Sequence, residues 1–357
     1  MVDLMSMLPE ELEAFLVADG QPKYRAAQIF SRFAAGVPLA EQTNLPLALR
    51  RRYAEQTEDR MPRVERRLVS KIDGTVKYLF RLTDGECVEG VLMRYHHGNT
   101  LCISSQVGCR MGCRFCASTI GGRVRNLTSS ELLGQVAVAA SDSGERVSGI
   151  VMMGIGEPLD NYENVLRFLR LVNHPGGLNI GYRHISLSTC GLCDRIRRLA
   201  GEELPITLSI SLHAATDEKR SSIMPVNRRF PIAELMDACV YYYRKTGRRI
   251  SFEYTLIAGK NDSEADAEAL ACLLHGAFRG TGAPLHINLI RVNEVEETGF
   301  RRGSSEAAQH FAGLLGARGI NATVRRRLGA DVNAACGQLR RARAAETDDP
   351  LPSKGEV

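Results

Sequence analysis

The chain has 357 residues, 44% of them hydrophobic, and a formal net charge of +5. That length suits one large barrel or two to three ordinary domains, and the composition suits a soluble globular protein. It has no run of about eighteen uncharged apolar residues and no charged start leading into an apolar stretch, so neither a membrane span nor a signal peptide is expected, and the expected compartment is the cytoplasm.

Residues 1–60 read as helical. Leu12, Phe15, Leu16 and Val17 accompany Glu10, Glu11 and Glu13, and Ala26, Ile29, Phe30 and Phe33 recur at three and four. A small N-terminal helical domain is expected there. Over 61–98 the pattern changes to short β-rich runs such as Val76–Phe80, broken by turns at Asp73-Gly74 and Asp84-Gly85, which reads as a β-rich bridge. From 99 to 342 strand-like runs alternate with helical patterns, the signature of βα units around a parallel sheet. Six strands are expected: Thr100–Ser104, Val147–Met153, His184–Ser188, Ile206–Leu212, Ile250–Leu256 and His286–Val292. Thr128-Ser129-Ser130-Glu131 opens the first barrel helix as a capping box. The expected class is therefore α/β, a partial six-unit (βα)6 barrel, with its active groups past the carboxyl ends of the strands. The charged, Pro-containing segment 343–357 is expected to be disordered.

Ten cysteines in a chain of this length and compartment are not expected to be a disulfide framework, which leaves metal binding or catalysis. Cys109, Cys113 and Cys116 fall on one loop just after the first barrel strand, with Gly108 and Gly112 to let it wrap a ligand. Structural zinc uses four protein ligands, whereas three cysteines can hold a cubane and leave its fourth iron open. The alternative is a zinc loop or ordinary buried cysteines. The pair Cys190 and Cys193 has no partner pair and reads as incidental, and Cys87, Cys239 and Cys272 read as structural. After the second strand, Gly154-Ile155-Gly156-Glu157-Pro158 offers small residues for close approach and a carboxylate for an ammonium group, or else a simple turn. Ser188, Ser211, Leu212, His213 and Asn293 fall at barrel mouths. Taken singly, the serines and Asn293 read equally as turn formers and His213 as a structural histidine. The basic runs Arg50–Arg52, Arg325–Arg327 and Arg340, Arg341 and Arg343 suit phosphates or a solvated face.

The C-x3-C-x2-C spacing, with Phe115 before the last cysteine, resembles the radical S-adenosylmethionine (SAM) superfamily. Longer strings resemble one family within it, the RlmN-type 23S rRNA and tRNA adenine C2 methyltransferases, with the C8-methylating Cfr enzymes as near relatives. These strings are Pro22–Phe30, Cys102–Cys109, Arg125–Leu127, Ser211–Ala214, Met224–Asn227 and Ala334–Leu339, so the match runs nearly end to end.

The resemblance implies a radical SAM barrel that methylates C2 of an adenine in 23S rRNA, at the peptidyl-transferase centre, and in tRNA, 3' of the anticodon. It implies a 4Fe-4S cluster on Cys109, Cys113 and Cys116. It further implies two SAM molecules per turnover, an electron donor such as flavodoxin or ferredoxin, and a monomer with no membrane partner. By position, Gly156, Glu157, Ser188, Ser211, Leu212, His213 and Asn293 match the family's SAM-binding residues. Cys336 matches the cysteine methylated on sulfur, Cys102 the one that resolves the protein–RNA adduct by forming a transient disulfide, and Glu89 the proton acceptor. The implied scheme runs through a 5'-deoxyadenosyl radical that takes hydrogen from the S-methyl group of Cys336. Residues 1–60 are expected to help dock RNA. The chain departs from the family pattern at Leu328-Gly329-Ala330-Asp331, where an Arg commonly precedes the Gly, and at Glu294–Glu297, which lacks the usual prolines. Two other readings stay open at this level: C8 methylation, which shares these motifs, and an RNA-binding relative with a structural cluster.

Overall fold

The computed structural model describes residues 1–332 and 339, apart from the side chain of Glu296. Three helices, α1 (Pro9–Ala18), α2 (Tyr24–Ala34) and α3 (Leu47–Gln56), open the chain. Pro9 takes the first helical position of α1, where a missing N–H costs nothing. The apolar stripe of α2 buries Ala26, Ile29, Phe30 and Phe33, as its spacing predicts, whereas Val17 is exposed.

Strands β1 (Arg63–Val69), β2 (Val76–Arg81) and β3 (Cys87–Tyr95) pair antiparallel across turns at the two expected Asp-Gly sites. Strand β3 pairs antiparallel with β4 (Gly98–Cys102), the first barrel strand, so the β-rich segment extends the barrel's own sheet. A small antiparallel pair, β5 (Gln106–Gly108) and β6 (Arg123–Asn126), follows and brackets the cysteine loop.

The barrel continues as α4 (Ser129–Ser143), β7 (Val147–Met152), α5 (Tyr162–Asn173), β8 (Ile185–Thr189), α6 (Cys193–Ala200), β9 (Thr207–Ser211), α7 (Asp217–Ile223), α8 (Ile232–Thr246), β10 (Ile250–Leu256), α9 (Glu264–Ala277), β11 (His286–Arg291), α10 (Ser305–Ala317) and β12 (Asn321–Val324). The sheet order is β1-β2-β3-β4-β7-β8-β9-β10-β11-β12, parallel from β4 onward. All six expected strands are present, within a few residues at their ends. The four-residue β12 is a seventh parallel strand that sequence analysis missed. The capping box of α4 forms as expected: Thr128 Oγ1 accepts from the Glu131 amide, and Glu131 accepts from the Thr128 amide.

The N-terminal helices share one continuous apolar core with the barrel. Arg167 of α5 pairs with Glu11 at 2.5 Å, and Ser130 donates to Asp3. Among the described residues no helix is long and apolar enough to cross a membrane. The expectation for 343–357 lies outside the described residues.

Candidate active site

The cysteine loop owes its path to its neighbours. Gly108 has φ +75, and a Cβ there would collide with the carbonyl of Gly122, so only glycine serves. The Cys109 amide donates to Gly122 O at 2.9 Å, and Thr119 Oγ1 donates to the carbonyls of Cys113 and Cys116 at 3.1 and 2.9 Å. The result turns Cys109, Cys113 and Cys116 onto the wall of one cavity of about 270 Å³. Burial pushes the Cys109 thiol well up and the Cys113 thiol to about 12. Cys116 adds to both shifts, while the Arg220 charge opposes the one on Cys113. Such thiols ionise only when a metal takes the proton's place. Among the described residues no three His, Cys, Asp or Glu side chains converge as a single metal ion requires. Three soft sulfurs spread around one cavity fit the corners of a cubane.

The Gly-Glu segment lines the same cavity. Gly156, at φ +107, lies so close to β5 that a Cβ would meet the backbone of Gln106 at 2.7 Å. Glu157 is buried and oriented by main chain: Oε1 accepts from Leu159 N at 3.0 Å and Oε2 from Cys190 N at 2.7 Å. Burial raises its pKa, against the pull of the Cys190 amide, so a cation arriving in the cavity finds a carboxylate that gains by pairing with it.

The remaining expected residues gather on the same edge. Ser188 and Ser211, on neighbouring strands, have hydroxyl oxygens 3.5 Å apart. His213 holds a left-handed φ of +58, a strained conformation for a non-glycine residue. Its Nδ1 accepts from Thr255 N at 2.9 Å, which leaves the proton on Nε2. Burial and the nearby Arg220 push its pKa down to about 3, so the ring is neutral. Phe115 packs edge-on against it, centroids 4.9 Å apart. Asn293 also lines the cavity. Leu212 does not: its side chain is buried in the core, and only its main chain acts locally, accepting from Arg220 Nε at 3.1 Å.

Cys102 ends β4 and lines a second cavity of about 160 Å³ that shares Met153, Asn293 and Arg325 with the first. Arg291, Arg302, Arg326 and Arg327 complete a cationic mouth around it. Burial, then the charge of Arg327, lower the Arg302 pKa, with Glu294 opposing and Arg291 adding to the shift. Of the other basic run, Arg50 donates to Ala40 O at 3.0 Å and Arg52 pairs with Asp19, so part of that run is engaged within the protein.

Cross-strand pairing sets Lys77, Val91 and Cys102 in one row on one face, with Glu89 one step along. Composition alone would have made Glu89 a surface strand residue. Instead it is buried and ion-paired to Lys77, off the walls of the two cavities. Among the described residues no disulfide forms. Cys336 and the run Arg340, Arg341 and Arg343 lie outside them.

The Radical SAM superfamily model matches residues 103–271. The chain is 50% identical over 342 residues to a protein of Clostridium botulinum (strain Eklund 17B / Type B) named probable dual-specificity RNA methyltransferase RlmN, covering 96% of this chain and 97% of that one. It is 51% identical to a protein of the same name from Alkaliphilus oremlandii, covering 95% and 98%. The crystal structure of a radical SAM methyltransferase from Sphaerobacter thermophilus superposes with a TM-score of 0.88 at 45% identity, over 95% of this chain and 99% of that one. The chain belongs to the RlmN family of radical SAM methyltransferases.

Membership in the RlmN family implies a 4Fe-4S cluster and SAM, and the first cavity is lined by the three cysteines and by the Gly-Glu segment. Four features had no strong sequence signal: the buried Arg220 and Lys77, Glu253 on β10, and Asp160. Asp160 gathers Arg123 at 2.7 Å, Arg110 and Gln106 beside the cysteine loop. A lone Lys or Arg on an amphipathic element looks solvent-facing until the tertiary fold covers it.

Proposed function

We propose that this chain, a radical SAM RNA methyltransferase by family, methylates C2 of an adenine in 23S rRNA and in tRNA, with Cys336 as methyl carrier. The observation that carries this reading is the cavity at Cys102: it shares lining residues with the three-cysteine cavity and is lined by five arginines, Arg291, Arg302, Arg325, Arg326 and Arg327, suited to RNA phosphates.

Cys109, Cys113 and Cys116 would hold the cluster, and Glu157, Ser188, Ser211, His213 and Asn293 would hold SAM, with Gly156 and Leu212 contributing main chain. Once bound, the two cofactors supply the radical chemistry that an electron-poor sp2 carbon requires. Glu89 accepts the ring proton. Once the adduct has given up its unpaired electron to the electron-transfer chain, the Cys102 thiolate attacks the Cys336 sulfur; the S–S bond forms as the S–CH2 bond breaks, the electron pair passes to the methylene carbon, and uptake of one proton there completes the methyl on adenine. Reduction of that disulfide restores both thiols. One methyl consumes two SAM molecules, with electrons from a donor such as flavodoxin or ferredoxin, and the protein works as a cytoplasmic monomer. The N-terminal helical region, residues 1–60, helps dock RNA.

The test is nucleoside mass spectrometry of rRNA and tRNA treated with reconstituted protein, reductant and SAM labelled on its methyl. The expected product is 2-methyladenosine. An 8-methyladenosine product, or cluster-loaded protein that methylates neither RNA, would overturn the reading.

A further inference from the structure

Arg220, on α7, is the largest fully buried side chain among the described residues. Its guanidinium makes four hydrogen bonds: Nε to Leu212 O at 3.1 Å, Nη1 to Asn227 Oδ1 at 2.9 Å, and Nη2 to Cys190 O at 2.6 Å and Ser211 O at 3.1 Å. All four acceptors are neutral. The one side chain among them, Asn227, donates its own amide to Asp217 at 2.8 Å, and the Cys190 amide donates to Glu157 at 2.7 Å, so each of these carboxylates is one link removed from the guanidinium. A buried cation satisfied only by dipoles is costly, and an anion brought beside it offsets that cost.

The surroundings name the anion. The Arg114 amide, between Cys113 and Cys116, donates to Ile223 O at the end of α7 at 2.9 Å, and Gly112 packs against Pro225. The helix bearing Arg220 is thus docked onto the cysteine loop. Burial lowers the Arg220 pKa, and the sulfurs of Cys190, Cys113, Cys193 and Cys239 oppose that shift when they carry negative charge. Of these only Cys113 belongs to the C-x3-C-x2-C set. A cubane core of charge +2 on three thiolates is a net anion, and one-electron reduction adds another negative charge.

We infer that Arg220 is the built-in counter-charge of the iron–sulfur cluster, a positioning residue that raises the cluster's reduction potential by stabilising its reduced, more negative form. This rests on the three-cysteine loop holding a 4Fe-4S cluster. The potential of such a cluster depends on the charge and dielectric around it. A pair removed from water is also little screened by salt. A purely structural role, tying the ends of β8 and β9 together, would need the forked guanidinium, whereas a counter-charge needs only the charge.

The experiment compares anaerobically reconstituted wild type with Arg220→Gln, Arg220→Met and Arg220→Lys, without SAM. It measures iron per chain, thermal melting and the cluster midpoint potential by redox titration followed by electron paramagnetic resonance. The expected result is a more negative midpoint in both neutral variants and one near wild type in Arg220→Lys. Neutral variants that hold four irons at the wild-type midpoint would overturn the inference, as would Arg220→Lys displaced as far as they are. Should neither neutral variant fold, the Lys protein decides by the same midpoint criterion. Loss of folding in all three would make Arg220 a structural brace and refute the counter-charge. A wild type that binds no cluster would instead sink the underlying cluster reading.

Discussion

Lys77 Nζ lies 3.1 Å from Glu89 Oε2, and both side chains are all but sealed from solvent, at 0% and 2% exposure. The pair sits on the face of β2 and β3 that continues to Cys102. The ammonium fixes the direction of the Glu89 carboxylate.

Removing one member leaves the other charge buried. Lys77→Met should therefore cost about 3–5 kcal/mol of stability, and Lys77→Met combined with Glu89→Met should recover most of it. Urea unfolding of the single and double variants measures this. Additive losses would show that the two side chains do not depend on each other. Glu89→Gln should slow methyl transfer by about 10²- to 10⁴-fold, the usual worth of a positioned base.

Glu157 reaches the cofactor cavity with two backbone amides on its oxygens, and what it lacks is a cation. Glu157→Gln keeps the size and one of the two amide contacts but loses the charge. Its affinity for SAM should drop about 10- to 100-fold, as expected for a hydrogen bond to a charged group, with iron content unchanged. Equilibrium binding to reconstituted protein measures it; an unchanged dissociation constant would remove Glu157 from the ammonium site.

Glu253 faces the lumen between the cofactor cavity and a wider cavity of about 870 Å³ below it. Ser251 Oγ donates to its Oε1 at 3.2 Å, while Oε2 has no hydrogen-bond partner. Burial raises its pKa, with Arg325 opposing. A carboxyl whose folded pKa exceeds its unfolded value, about 4.3 for Glu, contributes its full stability below that value and loses it as pH rises through the folded pKa. Glu253→Gln should thus be more stable than wild type near pH 8, with the gain shrinking toward pH 4. A difference constant with pH, in melting curves across that range, would contradict this.

Much of this architecture was legible in local pattern. Val147–Met152, Ile250–Leu256 and the rest of the six strands are apolar runs bounded by helical periodicity, and Cys109, Cys113 and Cys116 are close enough in sequence to declare a shared ligand. Strand β12 was not legible, because its four residues are half-exposed and run straight into three arginines. Nor was the fusion of β1 to β3 with the barrel, since pairing of β3 with β4 is a long-range choice that no single run encodes. Lys77 and Arg220 stayed hidden for the same reason: each looks like a solvated cation until distant strands and loops bury it. The site around Cys102 came from family resemblance, as neither its arginine mouth nor its row with Lys77 has a spacing signature. The departure at Leu328–Asp331 also acquires a physical account. Asp331 accepts from Ser70 Oγ at 2.7 Å and Lys71 N at 2.8 Å, and Gly329 N donates to Asp73 at 2.9 Å, so that segment is anchored on the β1–β2 turn.

The most direct test of the account is the fate of RNA on Cys102→Ala. If Cys336 carries the methyl and Cys102 resolves the adduct, this variant builds the carbon–carbon bond and stalls. Nuclease digestion and peptide mass spectrometry should then find an adenosine joined by one carbon to Cys336, and Cys336→Ala should give neither adduct nor methylated RNA. Normal turnover by Cys102→Ala, or a trapped nucleotide on any other residue, would contradict it.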